Sequence, residues 1–404
     1  MKYDHDVIVI GGGPAGSSFA RIAAAGGLDV LVVDKRKEIG IPVRCGEGLG
    51  RTEVVKEGLD IPKRCCSVEI EGSKVVAPNG KKIIWKNEKT RGWVLERKIF
   101  DKWLAELAVE KGARVKTYTR ATGLVTRNGK PAGVKLSHGG REPYEVTAPL
   151  IVSAEGMEAL MAREMGFKTV HSLYDVDTCY QYEMKPYDHE NLIELYFGNN
   201  IAPRGYVWIF PKSDEKANVG IGIGGNVVNG KKCDGVDGAD PKKLLDDFIA
   251  NDEQLKDAST LIDFGGVISV GAPIDSFVKD NCMVIGTGAK QVDPIHGGGI
   301  AVAMGCGVLA ANAALEAHKA KDFSAKTLHA HYEKPWRATA GKKMEKRLML
   351  RKVMERISDD DFNHCFNALS SDDIAEIMKG NFAPSVAKVL AGRPQMLGAL
   401  KGLM

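Results

Sequence analysis

The chain opens with a short apolar run, Asp6–Ile10 (DVIVI), bounded by polar residues and suited to a buried parallel strand. GGGPAG follows, and the alanine-rich segment from Pro14 to about Ala25 reads as a helix that Gly26-Gly27 stops. DVLVVD (Asp29–Asp34) is a second buried strand, which completes a βαβ unit. Phe100, Trp103, Leu104, Leu107 and Ala108 then recur at helical spacing within Leu95–Lys111, and Gly112 ends that helix. RVKTYT, GLVTRNGKPAGVKL and EVTAPLIVSAEG have strand character, with Asn128-Gly129 as a hairpin turn. Residues 35–95 carry no clear signature, and Glu38–Gly50 reads as a glycine-rich loop. Between 170 and 275 aromatics rise and strands dominate, the pattern of an inserted antiparallel sheet. Cys282–Ile300 returns to strand, glycine loop and helix start, and from about Lys334 the chain reads as helical.

Length and composition narrow the possibilities. At 404 residues the chain is long enough for two or three domains and a core that needs no staples. Charged residues at 27% and hydrophobic ones at 44% exclude wholesale disorder. A net charge of +4 is too small to imply nucleic-acid binding. The eight cysteines include no CxxC pair and HExxH is absent, so no metal site or iron–sulfur cluster is expected. The cysteines read as reduced thiols of a cytoplasmic protein. The longest apolar stretch, Ile300–Leu315, falls short of a membrane span.

Gly11-x-Gly13-x-x-Gly16 sits between the first strand and its helix, where it forms a dinucleotide fingerprint. The three glycines serve a tight turn, close approach of backbone N–H groups to a pyrophosphate, and helix–strand packing. Asp34, at the end of the second strand, is placed to bind ribose hydroxyls. Gly225-x-x-x-x-Gly230-Lys231 imitates a phosphate loop, but Lys232 stands where Ser or Thr is required. In GYVWIFP (Gly205–Pro211), Tyr206, Trp208 and Phe210 share one strand face. The next strand carries Gly220, Gly222 and Gly224 on one face. That strip reads either as a bare lane for a long, flat ligand or as a seat for the aromatic side chains. Cys45 lies in a glycine-rich loop between Arg44 and Glu47, a charged setting for a thiol. Lys334–Arg356 holds nine Lys or Arg against Glu345 and Glu355, a solvated face or a surface for anionic headgroups.

GGGPAGS with its terminal acid, VLERKIFDKWLAELA, Glu155-Gly156 and IGTGAKQVDPIHGGGI resemble FAD-dependent oxidoreductases of the aromatic-hydroxylase type. PVRCGEG (Pro42–Gly48) and GYVWIFP followed by GIGIGG are similar to archaeal geranylgeranyl reductases, over roughly residues 1–330. The resemblance implies a mixed α/β (α+β) chain. A discontinuous GxGxxG FAD-binding domain would span 1–60, 95–165 and 277–330. An inserted antiparallel β-sheet substrate domain would take 61–94 and 166–276, and a helical C-terminal region 331–404. The implied activity is an FAD-dependent reductase that saturates C=C bonds of geranylgeranyl chains in ether phospholipids or their precursors. FAD would meet Gly11, Gly13, Ala15, Gly16 and Asp34, with Arg44, Cys45, Gly46 and Gly48 along the flavin. Arg97 and Ala121 would reach the pyrophosphate and adenine side, and Gly299 and Ile300 would offer N–H groups to the pyrimidine edge.

Tyr206, Trp208, Phe210, Gly220 and Gly222 would line the isoprenoid lipid, and Cys45 and Tyr206 are the candidate catalytic residues. Thr287 stands where the family usually has Asp, which predicts weaker FAD retention. With one dinucleotide unit, electrons would come from an external donor, a ferredoxin-like or other small reductant. A lipid substrate implies peripheral contact at the inner face of the membrane. Two other readings stand beside this one: a flavin monooxygenase of the same fold, and a non-enzymatic isoprenoid-lipid-binding protein with weakened FAD binding.

Overall fold

The computed structural model describes residues 2–51, 58–86, 91–228, 238–379 and 381–401. Strands Val7–Ile10 and Val30–Val33 pair in parallel and are joined by the helix Pro14–Ala25. Every residue of both strands is buried, which is why they read as unbroken apolar runs. They form the centre of a six-stranded sheet, in the order Val278–Lys279, Cys282–Val284, Leu150–Ser153, Val7–Ile10, Val30–Val33, Arg114–Lys116. Distant parts of the sequence thus build one sheet. The hairpin between Thr119–Arg127 and Lys130–His138 turns at Asn128-Gly129 as expected, with φ of +52° and +74°.

Helix Pro14–Ala25 packs along the long helix Ile300–Ala320. A Cβ on Gly307 would lie 2.3 Å from the Ala15 carbonyl oxygen, and one on Gly26 would lie 2.4 Å from Leu315. Ala15 meeting Gly307 while Gly26 meets Leu315 makes the two helices run in the same direction. Ile300 precedes Gly307 by seven residues, so the N-terminus of the long helix lies about 10 Å beyond the other at 1.5 Å per residue. The expectation that this apolar stretch ends near Leu315 is corrected. The helix continues to Ala320, and its 21 residues are long and apolar enough to cross a membrane by length and composition. Here Ala303, Ala310, Ala314 and Ala317 are buried in the core.

A seven-stranded sheet follows, in the order Ser259–Ser269, Val176–Lys185, Lys216–Gly224, Tyr206–Lys212, Leu192–Tyr196, Gly72–Val76, Lys82–Lys86. It is antiparallel except where Leu192–Tyr196 pairs in parallel with Gly72–Val76. Residues 61–94 are split between two sheets. Cys66–Ile70 and Gly92–Leu95 leave the large sheet and join Gly48–Gly50 in a three-stranded one. One face of the large sheet, with Val207, Ile209, Val219 and Ile221, is covered by the helix Pro241–Ala250.

The other face carries Tyr206, Trp208 and Phe210 and looks toward the dinucleotide half. Its far end, at Val75 and Ile83, packs on Val353, Phe362, Phe382 and Val389 of the C-terminal helices. Helical structure resumes after the long helix at Ala325, ahead of the expected start. Of the basic run, Arg347 and Arg351 turn inward. Arg351 binds Asp177 at 2.7 Å, Glu355 at 2.7 Å and the Pro294 carbonyl at 2.9 Å. The phosphate-loop imitation at Gly230–Lys232 lies outside the described residues.

Candidate active site

The fingerprint glycines divide into two kinds. Gly11 has φ +108°, and a Cβ there would lie 2.3 Å from the Ala154 carbonyl oxygen. A Cβ on Gly16 would lie 1.9 Å from the Gly11 carbonyl oxygen, so both positions require glycine for backbone approach. Around Gly13 nothing lies within 4 Å of that position, and no side chain caps the helix. The first N–H groups of the helix, those of Ala15 and Gly16 among them, have no intrahelical acceptor, and they sit at the positive end of its dipole. An open backbone approach with uncapped donors suits a pyrophosphate.

Asp34 fixes the turn. Its Oδ2 accepts the Gly12 N–H at 2.9 Å and its Oδ1 the Arg36 N–H at 2.8 Å. Thr119 donates its N–H to the Asp34 carbonyl at 2.8 Å, which brings the strand of half-buried Ala121 alongside. Glu155 is a local cap: its carboxylate accepts from Ser153 Oγ at 2.7 Å and from the N–H groups of Met161 and Ala162 at 3.1 Å.

The second helix start is equally bare. Gly299 precedes Ile300 without a side-chain cap, and the nearest atom to a Cβ there would be Val292 at 3.8 Å. Between the two helix starts lies the Gly286-Thr287 turn. Gly286 takes φ +70°, and a Cβ there would lie 3.1 Å from Ala15 and 3.7 Å from Ala303. Two uncapped N-termini staggered along parallel helices, with a half-buried threonine between them, match the order pyrophosphate, ribityl chain, ring edge. These residues fit FAD.

The Pro42–Gly48 loop comes to the same place, with Cys45 in one apolar cluster with Ile300, Ala301 and Met304. Its anchor is Glu47, which sequence reasoning passed over. Glu47 is buried with φ +73°. Its Oε1 accepts the Arg97 N–H at 2.8 Å, and its Oε2 accepts Lys212 Nζ at 2.8 Å and Asn218 Nδ2 at 2.9 Å. Asn218 also donates to the Gly46 carbonyl at 3.2 Å, and Gln181 to the Cys45 carbonyl at 3.3 Å. Lys212, with 3% of its side chain exposed, meets Glu96 at 3.1 Å and Glu183 at 3.4 Å as well. Burial pushes its ammonium down, but Glu47 and Glu96 outweigh that and hold it above the ordinary lysine range. A lysine on the same strand face as buried aromatics was the signal for such a pairing.

Cys45 Sγ accepts the Glu47 N–H at 3.2 Å. The guanidinium beside the thiol belongs to Arg97, which also forms a bidentate pair with Asp101 at 2.7 Å. Arg44, the sequence neighbour, is exposed, so the expected Arg44–Cys45 setting is corrected.

On the aromatic strand, Tyr206, Trp208 and Phe210 lie opposite Gly222, Gly220 and Asn218. The indole of Trp208 covers Gly220: a Cβ there would be 2.3 Å from Trp208 Cζ2. The bare glycine lane is therefore corrected to a seat for tryptophan, held by its Nε1–H donated to Gln181 at 3.0 Å. A Cβ on Gly46 or Gly48 would lie 2.9 or 3.1 Å from the Phe210 ring, so the Cys45 loop rests directly on it. The open apolar ground is three strands away, on Ser259–Ser269. Ile262, Phe264, Gly266 and Ile268 share the face of Cys179 and Gln181, nothing fills the space above Gly266, and Ile268 abuts Gly297. Tyr206 donates its hydroxyl to the His296 carbonyl at 2.7 Å. Burial, with Cys179 and Asp177 nearby, raises its pKa above the ordinary tyrosine value and makes it a weak acid.

Comparison with known proteins agrees with this geometry. A geranylgeranyl reductase catalytic domain matches residues 175–268, and an FAD binding domain matches residues 4–200. Digeranylgeranylglycerophospholipid reductase of Methanosarcina mazei is 42% identical over 91% of this chain and 89% of its own. A geranylgeranyl bacteriochlorophyll reductase-like protein from Thermoplasma acidophilum superposes with a TM-score of 0.89 at 33% identity, over 99% of both chains. A flavin-dependent brominase, at 18% identity and a TM-score of 0.73 over 97% of this chain and 99% of its own, shares the fold alone. FAD is the cofactor, and the chain belongs to the archaeal geranylgeranyl reductase family.

Proposed function

We propose that this chain saturates C=C bonds in the geranylgeranyl chains of an archaeal ether phospholipid or its precursor. The observation that carries the reading is the meeting of the Cys45 loop, the start of the long helix and the apolar sheet face at one point. Relatives named as reductases favour it over the monooxygenase and the lipid-binding readings.

FAD, held by the two uncapped helix starts and the Gly286-Thr287 turn, would supply the hydride chemistry when bound and reduced. The protein's tasks are to bind an apolar chain, exclude water and deliver a proton to an alkene carbon. Trp208 and Phe210 form the rigid wall beneath the Cys45 loop. The chain lies along Ile262, Phe264, Gly266 and Ile268, which leads to Gly297 in front of the long helix. Cys45 Sγ gives the proton, and the Glu47 N–H and Arg97 guanidinium receive the charge left on sulfur. Tyr206, whose hydroxyl is raised in pKa and already donated to the His296 carbonyl, positions the loop in front of the long helix. Thr287 stands at the ribityl chain without the charge of the family's aspartate, and Thr287→Asp should tighten FAD binding. Electrons arrive from a small external reductant, because the chain contains one dinucleotide unit. Lys342, Lys346 and Lys352, exposed on one helix with Met349, form the face that meets anionic headgroups. Co-sedimentation with anionic vesicles, reduced by reversing those charges, tests that contact.

Anaerobic incubation of the dithionite-reduced holoenzyme with digeranylgeranylglycerophospholipid should reoxidise the flavin and add two mass units per double bond. Flavin that stays reduced and lipid of unchanged mass would sink the reading. Cys45→Ala should keep FAD yet lose at least about 100-fold in kcat, the lower limit of what a general acid contributes (roughly 10²–10⁴-fold). Full turnover in that variant would remove Cys45 as the proton donor.

A further inference from the structure

The loop Asp293–Gly299, in front of the long helix, is held by a side-chain relay that the reaction does not use. His296 Nδ1 accepts the Gly298 N–H at 3.1 Å, and its Nε2 lies 3.2 Å from Asp293 Oδ2. An acceptor at Nδ1 places the ring proton on Nε2, where the Asp293 carboxylate at 3.2 Å is the acceptor and Arg347 Nη1, at 3.4 Å, is bound by that same carboxylate. Asp293 is buried, pairs with Arg347, and accepts the Ile295 N–H on Oδ1 at 3.0 Å. Its backbone closes the loop: Asp293 N–H donates to the Gly298 carbonyl at 3.2 Å, and Gly297 N–H to the Asp293 carbonyl at 3.0 Å. Only glycine fits beneath the imidazole, since a Cβ on Gly298 would lie 2.4 and 2.6 Å from ring atoms. These bonds commit the Gly298 N–H to the imidazole, whereas Gly299 and Ile300 stand at the uncapped start of the helix.

We propose that His296 is a positioning residue that shapes the anion-binding end of the long helix, so that Gly299 and Ile300, and not Gly298, offer N–H groups to the pyrimidine edge of bound FAD. The relay reaches across the molecule. Asp293 lies on the loop itself, Arg347 and Lys343 on the helix Lys342–Met354, and Tyr206 of the sheet holds the His296 carbonyl. The ring is exposed, with 40% of its side chain accessible. Partial desolvation of the ring nitrogens, with Lys343 nearby, pushes the imidazole down to about 4 and keeps Nδ1 an acceptor at neutral pH. The inference rests on FAD binding and is independent of which lipid is reduced.

The test compares His296→Asn with His296→Leu as FAD-loaded proteins without lipid. Asparagine can place Oδ1 where Nδ1 accepts from Gly298; leucine fills space and accepts nothing. His296→Leu should bind reduced FAD tenfold less well relative to oxidised FAD, a midpoint about 30 mV more negative for a two-electron couple. His296→Asn should stay within twofold of the parent protein in that ratio. Unchanged potential in His296→Leu, or equal effects in the two variants, would overturn the proposal. Should His296→Leu fail to hold FAD, nitrogen NMR of the parent holoenzyme decides the point. A proton on Nε2 is required, and a proton on Nδ1 would exclude the relay.

Discussion

Two glycine-rich regions of this chain look alike in sequence and do opposite work. At Gly11–Gly16, two glycines let backbones touch, and Gly13 leaves an uncapped helix end open to a ligand. At Gly46, Gly48 and Gly220, the space a side chain would need is already taken by Phe210 and Trp208. The first region keeps room for a ligand outside the protein; the second uses missing side chains to seat large rings inside it. Glycine spacing alone does not separate the two. What separates them is the chemistry beside them, free N–H groups in one case and aromatic rings in the other.

The filled region should suffer most from the loss of a charge. The Cys45 loop is tied to the sheet through Glu47 and Lys212, both nearly inaccessible. Lys212→Met would leave Glu47 buried without its cation. Removing one partner of a buried pair costs about 3–5 kcal/mol, and urea denaturation should show a loss in that range. The sign with pH follows from the raised lysine. The folded protein holds the proton more tightly than the unfolded chain, so the stabilisation is complete below the unfolded value of 10.5 and is lost only as pH rises above it. The gap between parent and variant should stay flat from neutral pH to 9; a gap that closes within that window would show that Lys212 is not what holds the loop.

Gly16→Ala comes next. Its Cβ would meet backbone at 1.9 Å, where no side-chain movement gives relief. The loss should lie near the upper end of the about 1–3 kcal/mol typical of overpacking, and FAD should not survive desalting. Gly220→Ala meets the end of an indole at 2.3 Å, and a ring can tilt. It should cost less, about 1–2 kcal/mol within the same overpacking range, with altered tryptophan fluorescence and FAD retained. Gly13→Ala completes the comparison, because its Cβ meets nothing. Stability should move by less than about 0.5 kcal/mol, as at sites free of packing, while FAD affinity falls at least tenfold because the approach to the pyrophosphate is blocked. If Gly13→Ala and Gly220→Ala lose FAD and stability in the same proportion, the two regions do not differ as described.

The sequence makes the first of these regions legible because its signals are local. Strand ends, Pro14, Gly26 and the Asn128-Gly129 turn are decided by neighbours a few residues apart, and the helix Pro14–Ala25 forms with the expected bounds. The second region depends on pairs far apart in the chain. Lys212 meets Glu47 across 165 positions, and Arg351 meets Asp177 across 174. Arg44 adjoins Cys45 in sequence, yet Arg97 meets the thiol, because the helix Arg97–Glu110 starts against the loop at Glu47. Counting charge over Lys334–Arg356 likewise hides the direction in which each side chain points, and Arg347 and Arg351 point inward. Alternation correctly put Tyr206, Trp208 and Phe210 on one face, but it could not reveal that Trp208 bends over Gly220.

The smallest effect expected is a pH dependence at the loop that joins the two regions. His296 lies at about 4 in the folded protein against 6.5 for a free histidine. Between those values the unfolded chain takes up a proton that the folded protein refuses. Stability should therefore fall as pH drops from 6.5 toward 4, and this residue should contribute no slope above 6.5. With part of the ring accessible, solvent softens the effect, so the measurement is a difference of slopes between two proteins. His296→Asn keeps an acceptor for Gly298 but cannot titrate. Its melting temperature should fall less steeply than the parent's between pH 6.5 and 4, and the two curves should run parallel above pH 7. Identical slopes at low pH would place the ring in contact with enough water to titrate normally, and the loop before Gly299 would then owe its shape to Asp293 and its backbone bonds alone.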